Sequence, residues 1–208
     1  MPVVVQTSVE GVALWWIEPK SPTLWKDAGA VLKEIHKINL NGFGALDLRD
    51  GTLEGELASW KEFILLHKPD QGFLVEEGYI NNDEANQVEA AFGDILKIKV
   101  DQASFLHHDF HGSHIFSDGK RITGVIDLAS AVAGDPRYDV AMAHFFLSSE
   151  NRAYFNQGYG DLASDPLVSR YLLCIAARKV EYRHKKGFKE RIPNAVETLK
   201  ESLKNIRS

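Results

Sequence analysis

The sequence predicts an α+β protein that is mostly helical and forms a single domain over residues 1–208. The chain of 208 residues has room for one core of ordinary size. Most of its apolar residues recur every three or four positions, which is the helical period. One Asp-Gly turn, at residues 118–119, separates two β-prone runs, which is a hairpin signal. So little β-prone sequence remains that a doubly wound sheet is excluded.

The first hundred residues are predicted to be mostly helical. A short strand is expected over Val3 to Val5, with Val9 and Val12 beyond it, ending at Gly11. Ser21-Pro22 has the residue types of an N-cap and a first helical position. Three helices with apolar stripes are expected here, from Pro22 to Ile35, from Glu54 to His67 and from Asp83 to Leu96.

The second half is predicted to contain the hairpin and three further helices. Two β-prone runs, Ile115-Phe116 and Ile122 to Ile126, flank the turn. Asp135-Pro136 and Asp165-Pro166 each place an N-cap residue before a proline, which indicates a helix start. The last amphipathic helix is expected from Pro193 to Ile206.

Composition favours an ordinary globular protein, with 44% apolar and 25% charged residues. No apolar run approaches the roughly 18 residues of a membrane span, so no membrane partner is expected. The start of the chain lacks the basic leader of a signal peptide, and the single cysteine, Cys174, cannot form an internal disulfide. We therefore expect a cytoplasmic protein.

The net charge of −5 is unevenly distributed. The segment Arg178 to Arg191 holds seven basic residues against Glu181 and Glu190, which leaves the rest of the chain at −10. An acidic body argues against a nucleic-acid partner and fits a cationic or neutral small substrate. The basic segment is interpreted as a solvated helix end and turn.

Four histidines and an aspartate are concentrated in the eight residues 107–114. A core position would leave several of these imidazole nitrogens without partners, so packing does not explain them. Asp127 follows eighteen residues after Asp109, at the end of the second hairpin strand. Because a hairpin returns the chain on itself, both carboxylates are predicted to converge. Such a site suits a divalent cation beside a general base. Asp135 is interpreted as an N-cap, and His36 and His67 as packed or partly exposed residues.

The stretch from Phe105 to Ala141 resembles the signature of the aminoglycoside phosphotransferase-like, or choline-kinase-like, family, whose fold is that of protein kinases. The resemblance rests on the motifs His107-His108-Asp109, Val125-Ile126-Asp127 and Gly134-Asp135-Pro136 followed by Asp139. Segments at 32–44 and 155–160 resemble further parts of the same family. The resemblance implies a kinase-like C-terminal lobe over residues 21–208, with a catalytic loop at 107–114 and a hairpin at 115–127.

By this resemblance Asp109 is the catalytic base, and Asp127 holds the Mg²⁺ that bridges the phosphates of ATP or GTP. His114 stands where the family has a metal-binding Asn, and an imidazole prefers softer metals than Mg²⁺. Asp139 is expected to brace the loop, and His107 and His111 to support it. His108 replaces a glycine of the family pattern.

Residues 1–20 resemble only the hinge strand, Val3 to Ser8, and its connection. No glycine-rich loop precedes them, and neither Lys20 nor Lys26, the earliest lysines, lies on a predicted strand. The small N-terminal lobe of the family is therefore expected to be absent, and a homodimer or a separate small-lobe chain is expected at the N-terminal face.

Three functions remain open. The first is a truncated or degenerate phosphotransferase that moves a nucleotide γ-phosphate to a hydroxyl of a small molecule, with cationic molecules among the candidates. The second is an inactive kinase-like binding module, for which an exposed apolar patch around Val3 to Val5, Trp15 and Trp16 would argue. The third is a His-Asp metal-dependent phosphohydrolase, which would place the histidine cluster inside a helix.

Overall fold

The computed structural model describes residues 8–17 and 21–206. Its helices are α1 (Pro22–Ile35), α2 (Trp60–Leu66), α3 (Gln71–Glu76), α4 (Asn82–Leu96), α5 (Pro136–Phe146), α6 (Ser149–Tyr159), α7 (Pro166–Lys185) and α8 (Ile192–Ile206). Its strands are β1 (Val12–Ala13), β2 (Asn39–Leu40), β3 (Phe43–Arg49), β4 (Thr52–Leu57), β5 (Ala103–Leu106), β6 (Ile115–Ser117), β7 (Ile122–Val125) and β8 (Val132–Gly134). The mostly helical α+β class expected from the sequence is confirmed.

The strands form two small antiparallel sheets that carry the loops around the histidine cluster. One sheet has the order β1-β6-β7 and contains the predicted hairpin. The other has the order β2-β5-β8-β3-β4. In it Phe105 of β5 pairs with Ala133 of β8. The cluster at 107–114 therefore begins where the buried strand β5 leaves the sheet.

Residues 43–57 correct the prediction of a mostly helical first half. They form a hairpin, and the helix expected from Glu54 begins only at Trp60. Asp50 and Gly51, at the turn, both have positive φ, as a tight two-residue hairpin requires. Gly55 lies so close to the backbone of Phe43 that a side chain would not fit there. The Asp-Gly pair at 50–51, the same residue pair that predicts the hairpin at 118–119, was therefore a sequence signal for this hairpin as well.

The other predicted helices are confirmed, and their caps explain where they begin. The side chains of Asp135 and Asp165 accept hydrogen bonds from the backbone N–H of Arg137 and Leu167, two residues further on. Ser21 precedes α1 but its side chain makes no capping bond; α1 starts with Pro22 at a first-turn position. The sequence analysis did not assign α3 or α6 as helices.

Two glycines bring α1 and α6 into direct backbone contact. A Cβ added to Gly29 would meet the carbonyl oxygen of Phe155, and one added to Gly158 would meet that of Lys26. Only glycine can occupy these positions, because each lacks the space of a single methyl group. Close packing of α6 against α1 thus explains why Gly158 is present in the segment 155–160, which resembles part of the family.

The hydrophobic core lies among the helices of the second half and their contacts with α1 and α4. Its largest fully buried side chains include Tyr171, Phe110, Phe145 and Phe155. Among the residues described, no helix has the length and apolar character needed to cross a membrane. The strand expected at Val3 to Val5 lies outside the described residues.

Candidate active site

The hairpin β6–β7 returns the chain to the histidine cluster. The backbone N–H of Ile126 donates to the carbonyl oxygen of His114 at 2.9 Å, so Asp127 lies beside the end of the cluster. Asp127 has a φ of 64°, a left-handed conformation that turns the chain sharply after the strand. The hairpin therefore brings Asp109 and Asp127, eighteen positions apart, to opposite sides of the His114 ring and not face to face.

The ring of His114 lies between the two carboxylates. Its Nδ1 is 3.6 Å from Oδ2 of Asp109, and its Nε2 is 3.5 Å from Oδ2 of Asp127. Nδ1 also lies 3.0 Å from the backbone carbonyl oxygen of Asp109. A carbonyl oxygen can only accept, so Nδ1 carries a proton, and in the neutral form of the ring Nε2 presents a lone pair. Two electron-rich atoms, Nε2 and the Asp127 oxygen, therefore face each other across a gap that a cation would fill.

Asp109 is held as a carboxylate at the centre of the cluster. His111 Nδ1 accepts from the backbone N–H of Ser113, which leaves the Nε2 hydrogen facing Asp109 Oδ2 at 3.5 Å. Partial burial opposes ionisation, but His111, Lys179 and His114 together lower the pKa of Asp109. Ligand atoms of Asp109, His111 and His114 all lie within 4.8 Å of one another. In the hydrogen-bonding arrangement described here, however, His111 Nε2 and His114 Nδ1 carry hydrogens directed at Asp109, so a metal ion beside Asp109 would have to displace those hydrogens.

Asp139 ties the loop to two helices from a fully buried position. Its Oδ2 accepts from the backbone N–H of His107 at 2.7 Å and from Nε2 of His36 at 3.0 Å. Its Oδ1 accepts from the backbone N–H of His108 at 2.9 Å. Burial raises the pKa of Asp139, but the His36 hydrogen bond and the neighbouring imidazoles outweigh it and lower the pKa. The hydroxyl of Tyr159 in α6 contacts the other nitrogen of His36 at 2.6 Å.

His107 links the two halves of the site through a buried ring. Its Nε2 donates to the carbonyl oxygen of Ile126 at 2.9 Å, and its Nδ1 accepts from the backbone N–H of Asp109 at 3.3 Å. Burial lowers the pKa of this ring, so it stays neutral at pH 7. One imidazole therefore joins Asp109 to the residue that precedes Asp127.

His108 has a backbone conformation that favours glycine. Its φ is 66°, in the left-handed region that a residue with a side chain rarely adopts. Nδ1 donates to the carbonyl oxygen of Ser130 at 3.0 Å, whereas the buried Nε2 has no hydrogen-bond partner among the described residues. The ring stacks on Tyr138, with the ring centroids 5.7 Å apart.

A cavity of about 380 Å³ opens beside Asp109, and we call it the Asp109 cavity. Its walls come from α2, α4, α5 and α7, and most of their lining side chains are apolar or aromatic. Arg178 and Lys179 of α7 bring two positive charges to it, and His67 of α2 also lines it. The sequence analysis placed Arg178 and Lys179 in a solvated helix end. Lys179 follows Tyr171 and Ile175 at intervals of four residues on the apolar stripe of α7. This spacing was the sequence signal that Lys179 faces the interior.

Three other residues behave as the sequence analysis interpreted them. His36 is buried within the Asp139 network, and His67 is partly buried with its Nδ1 donating to the carbonyl oxygen of Phe63 at 2.8 Å. Asp135 caps α5. The cluster itself lies in the loop between β5 and β6. The phosphohydrolase interpretation would need it to lie inside a helix.

Comparison with known proteins gives one family. The sequence model described as "APH: Phosphotransferase enzyme family" matches residues 1–172. Over 75 residues the chain is 33% identical to the hygromycin-B 4-O-kinase of Escherichia coli. That match covers 34% of this chain and only 22% of the length of the relative.

Solved structures agree on the fold. A thermostable mutant of aminoglycoside phosphotransferase APH(4)-Ia, in a ternary complex with AMP-PNP and hygromycin B, superposes with a TM-score of 0.69 at 22% identity. The comparison covers 95% of this chain and 70% of that one. A fructosamine-3-kinase homologue from Thermobifida fusca superposes with a TM-score of 0.56 at 18% identity, covering 91% of this chain and 68% of that one. The kinase-like fold implied by the sequence is confirmed.

Proposed function

The chain belongs to the phosphotransferase enzyme family, and from that premise we propose that it transfers the γ-phosphoryl group of a nucleoside triphosphate to a hydroxyl of a small molecule in the Asp109 cavity. The observation that carries the proposal is the position of Asp109, an ionised carboxylate that both lines this cavity and lies 3.6 Å from the ring of His114. A base at the wall of a substrate-sized cavity is what hydroxyl activation needs.

Asp109 is proposed as the catalytic base. The acceptor oxygen bonds to the γ-phosphorus while the bond from that phosphorus to the β–γ bridging oxygen breaks. The hydroxyl proton passes to a carboxylate oxygen of Asp109, and the nucleoside diphosphate leaves. Because such transfer depends mainly on positioning and electrostatics, the fixed orientation of Asp109 matters as much as its basicity.

Asp127 and His114 are proposed to hold the divalent cation. The facing lone pairs of His114 Nε2 and Asp127 Oδ2 fit a metal, and the Nδ1 hydrogen bond to the Asp109 carbonyl orients the ring as a ligand. A bound cation would offset the charge of the nucleotide phosphates. One nitrogen ligand favours Mn²⁺ over Mg²⁺ more than an all-oxygen site would. Mg²⁺ therefore stays the first candidate by family and Mn²⁺ by ligand type.

Asp139, His107 and His111 are proposed to support this pair. Asp139 fixes the backbone at 107–108, and His107 spans from Asp109 to the end of β7. His111 directs a ring hydrogen toward Asp109. Each acts by holding a geometry that the reacting carboxylate requires.

Adenine nucleotides are the first donors to test, because AMP-PNP and ADP are bound in the structures similar to this one. Titration calorimetry with AMP-PNP and Mg²⁺ or Mn²⁺ should show binding to the native chain. Asp127→Asn should weaken it at least tenfold, Asp109→Asn should leave it within a factor of three, and Asp83→Asn, in the exposed first turn of α4, should leave it unchanged. Absence of binding at millimolar nucleotide would remove the proposed function.

A non-catalytic binding module is the second candidate. The side chains of Trp15 and Trp16 are 54% and 72% exposed, which is the kind of apolar surface a partner covers. Nucleotide binding without transfer to any hydroxyl would favour it. The homodimer or separate small-lobe chain, the domain organisation over residues 1–208 and the cytoplasmic location stay predictions; size-exclusion chromatography with light scattering tests the first.

A further inference from the structure

The walls of the Asp109 cavity are largely hydrocarbon. Side chains of α2, α4, α5 and α7 contribute Ile64, Phe92, Ile95, Met142, Cys174 and Ile175. Burial raises the pKa of the Cys174 thiol to about 12, so this residue adds no charge. A ligand gains affinity here mainly by burying apolar surface.

Lys179 brings a positive charge to this apolar cavity without an ion pair. Its ammonium lies 5.7 Å from the centre of the Phe146 ring, and no carboxylate oxygen lies within 4 Å of it among the residues described. Desolvation lowers the pKa of Lys179, while the charge of Asp109 opposes that shift. A cation that is partly desolvated and unpaired is a site that an anionic ligand would complete.

Arg178 adds a second positive charge on the same wall. Its Nη1 bonds to Glu181 at 3.2 Å, and the guanidinium retains further N–H groups. His108 does not add to the charge in the same way, because burial lowers its pKa. Asp109 is the one carboxylate in the described lining, and the proposed reaction uses it.

We infer, on the basis of the proposed function, that the acceptor is a hydroxylated molecule with an apolar body and an anionic group such as a carboxylate. Its hydroxyl would lie at Asp109 and its anionic group at Lys179. Because both side chains line the same cavity of about 380 Å³, one small molecule can reach both. A polycation would instead place its charges against Lys179 and Arg178. The acidity that suggested a cationic substrate from the sequence lies elsewhere on the protein.

Three benzyl alcohols that differ in the charge of the para substituent test this inference. They are 4-(hydroxymethyl)benzoate, 4-(aminomethyl)benzyl alcohol and the neutral 1,4-benzenedimethanol. Their dissociation constants are measured by NMR titration of the native full-length chain, in the presence and absence of AMP-PNP with Mn²⁺. The benzoate should bind at least tenfold more tightly than the amine, with the neutral diol between them.

Variants of Lys179 identify the source of the preference. Lys179→Met keeps the length of the side chain and should weaken benzoate binding about tenfold, with binding of the neutral diol changed less than twofold. Lys179→Arg should retain the preference. Lys120→Met, at the exposed hairpin turn, is the matched control and should match the native chain. Circular dichroism and thermal melting confirm that each variant is folded.

The outcomes separate this inference from the proposed function. Three results would overturn the inference. They are tighter binding of the amine, equal binding of all three alcohols, and no binding of any of them at about a 20-fold molar excess over a millimolar protein sample, where even weak ligands are detected. If AMP-PNP binds while the benzoate preference is absent, the inference alone fails. If the benzoate binds through Lys179 while nucleotide does not bind, the proposed function fails and the ligand class of the cavity stands.

Discussion

Replacing Asp139 with asparagine should destabilise the protein and loosen the loop that carries Asp109. In the native chain the carboxylate accepts three hydrogen bonds, from the backbone N–H groups of His107 and His108 and from His36. An asparagine has one acceptor oxygen, and its NH₂ group would face a donor. At least one buried N–H would then lose its acceptor.

The expected loss of stability follows from these bonds. One unsatisfied buried donor costs about 1–3 kcal/mol, and each hydrogen bond to a charged acceptor that becomes neutral loses about 1 kcal/mol more. Allowing for the relief of burying a neutral group, we expect a decrease of about 3 kcal/mol in the free energy of unfolding. For a chain of this size that corresponds to a fall in Tm of roughly 6–12 °C.

Urea unfolding and amide hydrogen exchange test this prediction together. The N–H groups of His107 and His108 should exchange faster in Asp139→Asn than those of the core helix α7. Asp83→Asn, an exposed aspartate in the first turn of α4, controls for the loss of a charge near a helix start. A change in unfolding free energy below about 0.5 kcal/mol, the range of ordinary surface substitutions, would refute the bracing role of Asp139.

Three further predictions concern other parts of the molecule. Tyr171→Phe should lower the unfolding free energy by about 1–3 kcal/mol in urea titrations, because the buried N–H of Trp60 loses its acceptor. Burial lowers the pKa of His144 to about 4. Because the same ring in the unfolded chain titrates near 6.5, the unfolded state binds the proton first as the pH falls. The free energy of unfolding is therefore highest above about pH 6.5 and should fall by about 2 kcal/mol between pH 7 and 5. Urea midpoints of His144→Gln should lack that part of the slope. His114→Asn should raise the affinity for Mg²⁺ relative to Mn²⁺, as the ratio of two calorimetric dissociation constants, and an unchanged ratio would exclude Nε2 as a ligand opposite Asp127.

Local signals were sufficient to predict the elements that position the site. Asp-Pro at 135–136 and at 165–166 each placed a helix start correctly, because capping is decided by adjacent residues. The meeting of Asp109 and Asp127 followed from a single tight turn. These features depend on contacts that are near in the sequence.

Features that depend on distant contacts were missed. One local signal was also missed: β4 was predicted as the start of a helix from Glu54, because Leu57, Trp60 and Ile64 continue a helical spacing, whereas this strand pairs with β3 across the Asp50-Gly51 turn. Lys179 lies among basic neighbours in the sequence, and only the tertiary packing of α7 brings it into the same cavity as Asp109. The residue that accepts a hydrogen bond from a buried donor, such as Asp139 for the backbone N–H of His107, likewise depends on tertiary structure.

The glycine contact between α1 and α6 has a consequence for how this scaffold can change. His36, which follows α1, contacts both Asp139 and Tyr159 of α6, so the loop at 107–114 rests on two helices that cannot separate or admit a larger side chain. The walls of the Asp109 cavity, the proposed acceptor site, come from α2, α4, α5 and α7. Substitutions that adapt the cavity to a new acceptor can therefore change those walls while the side chains of the loop at 107–114 keep their positions.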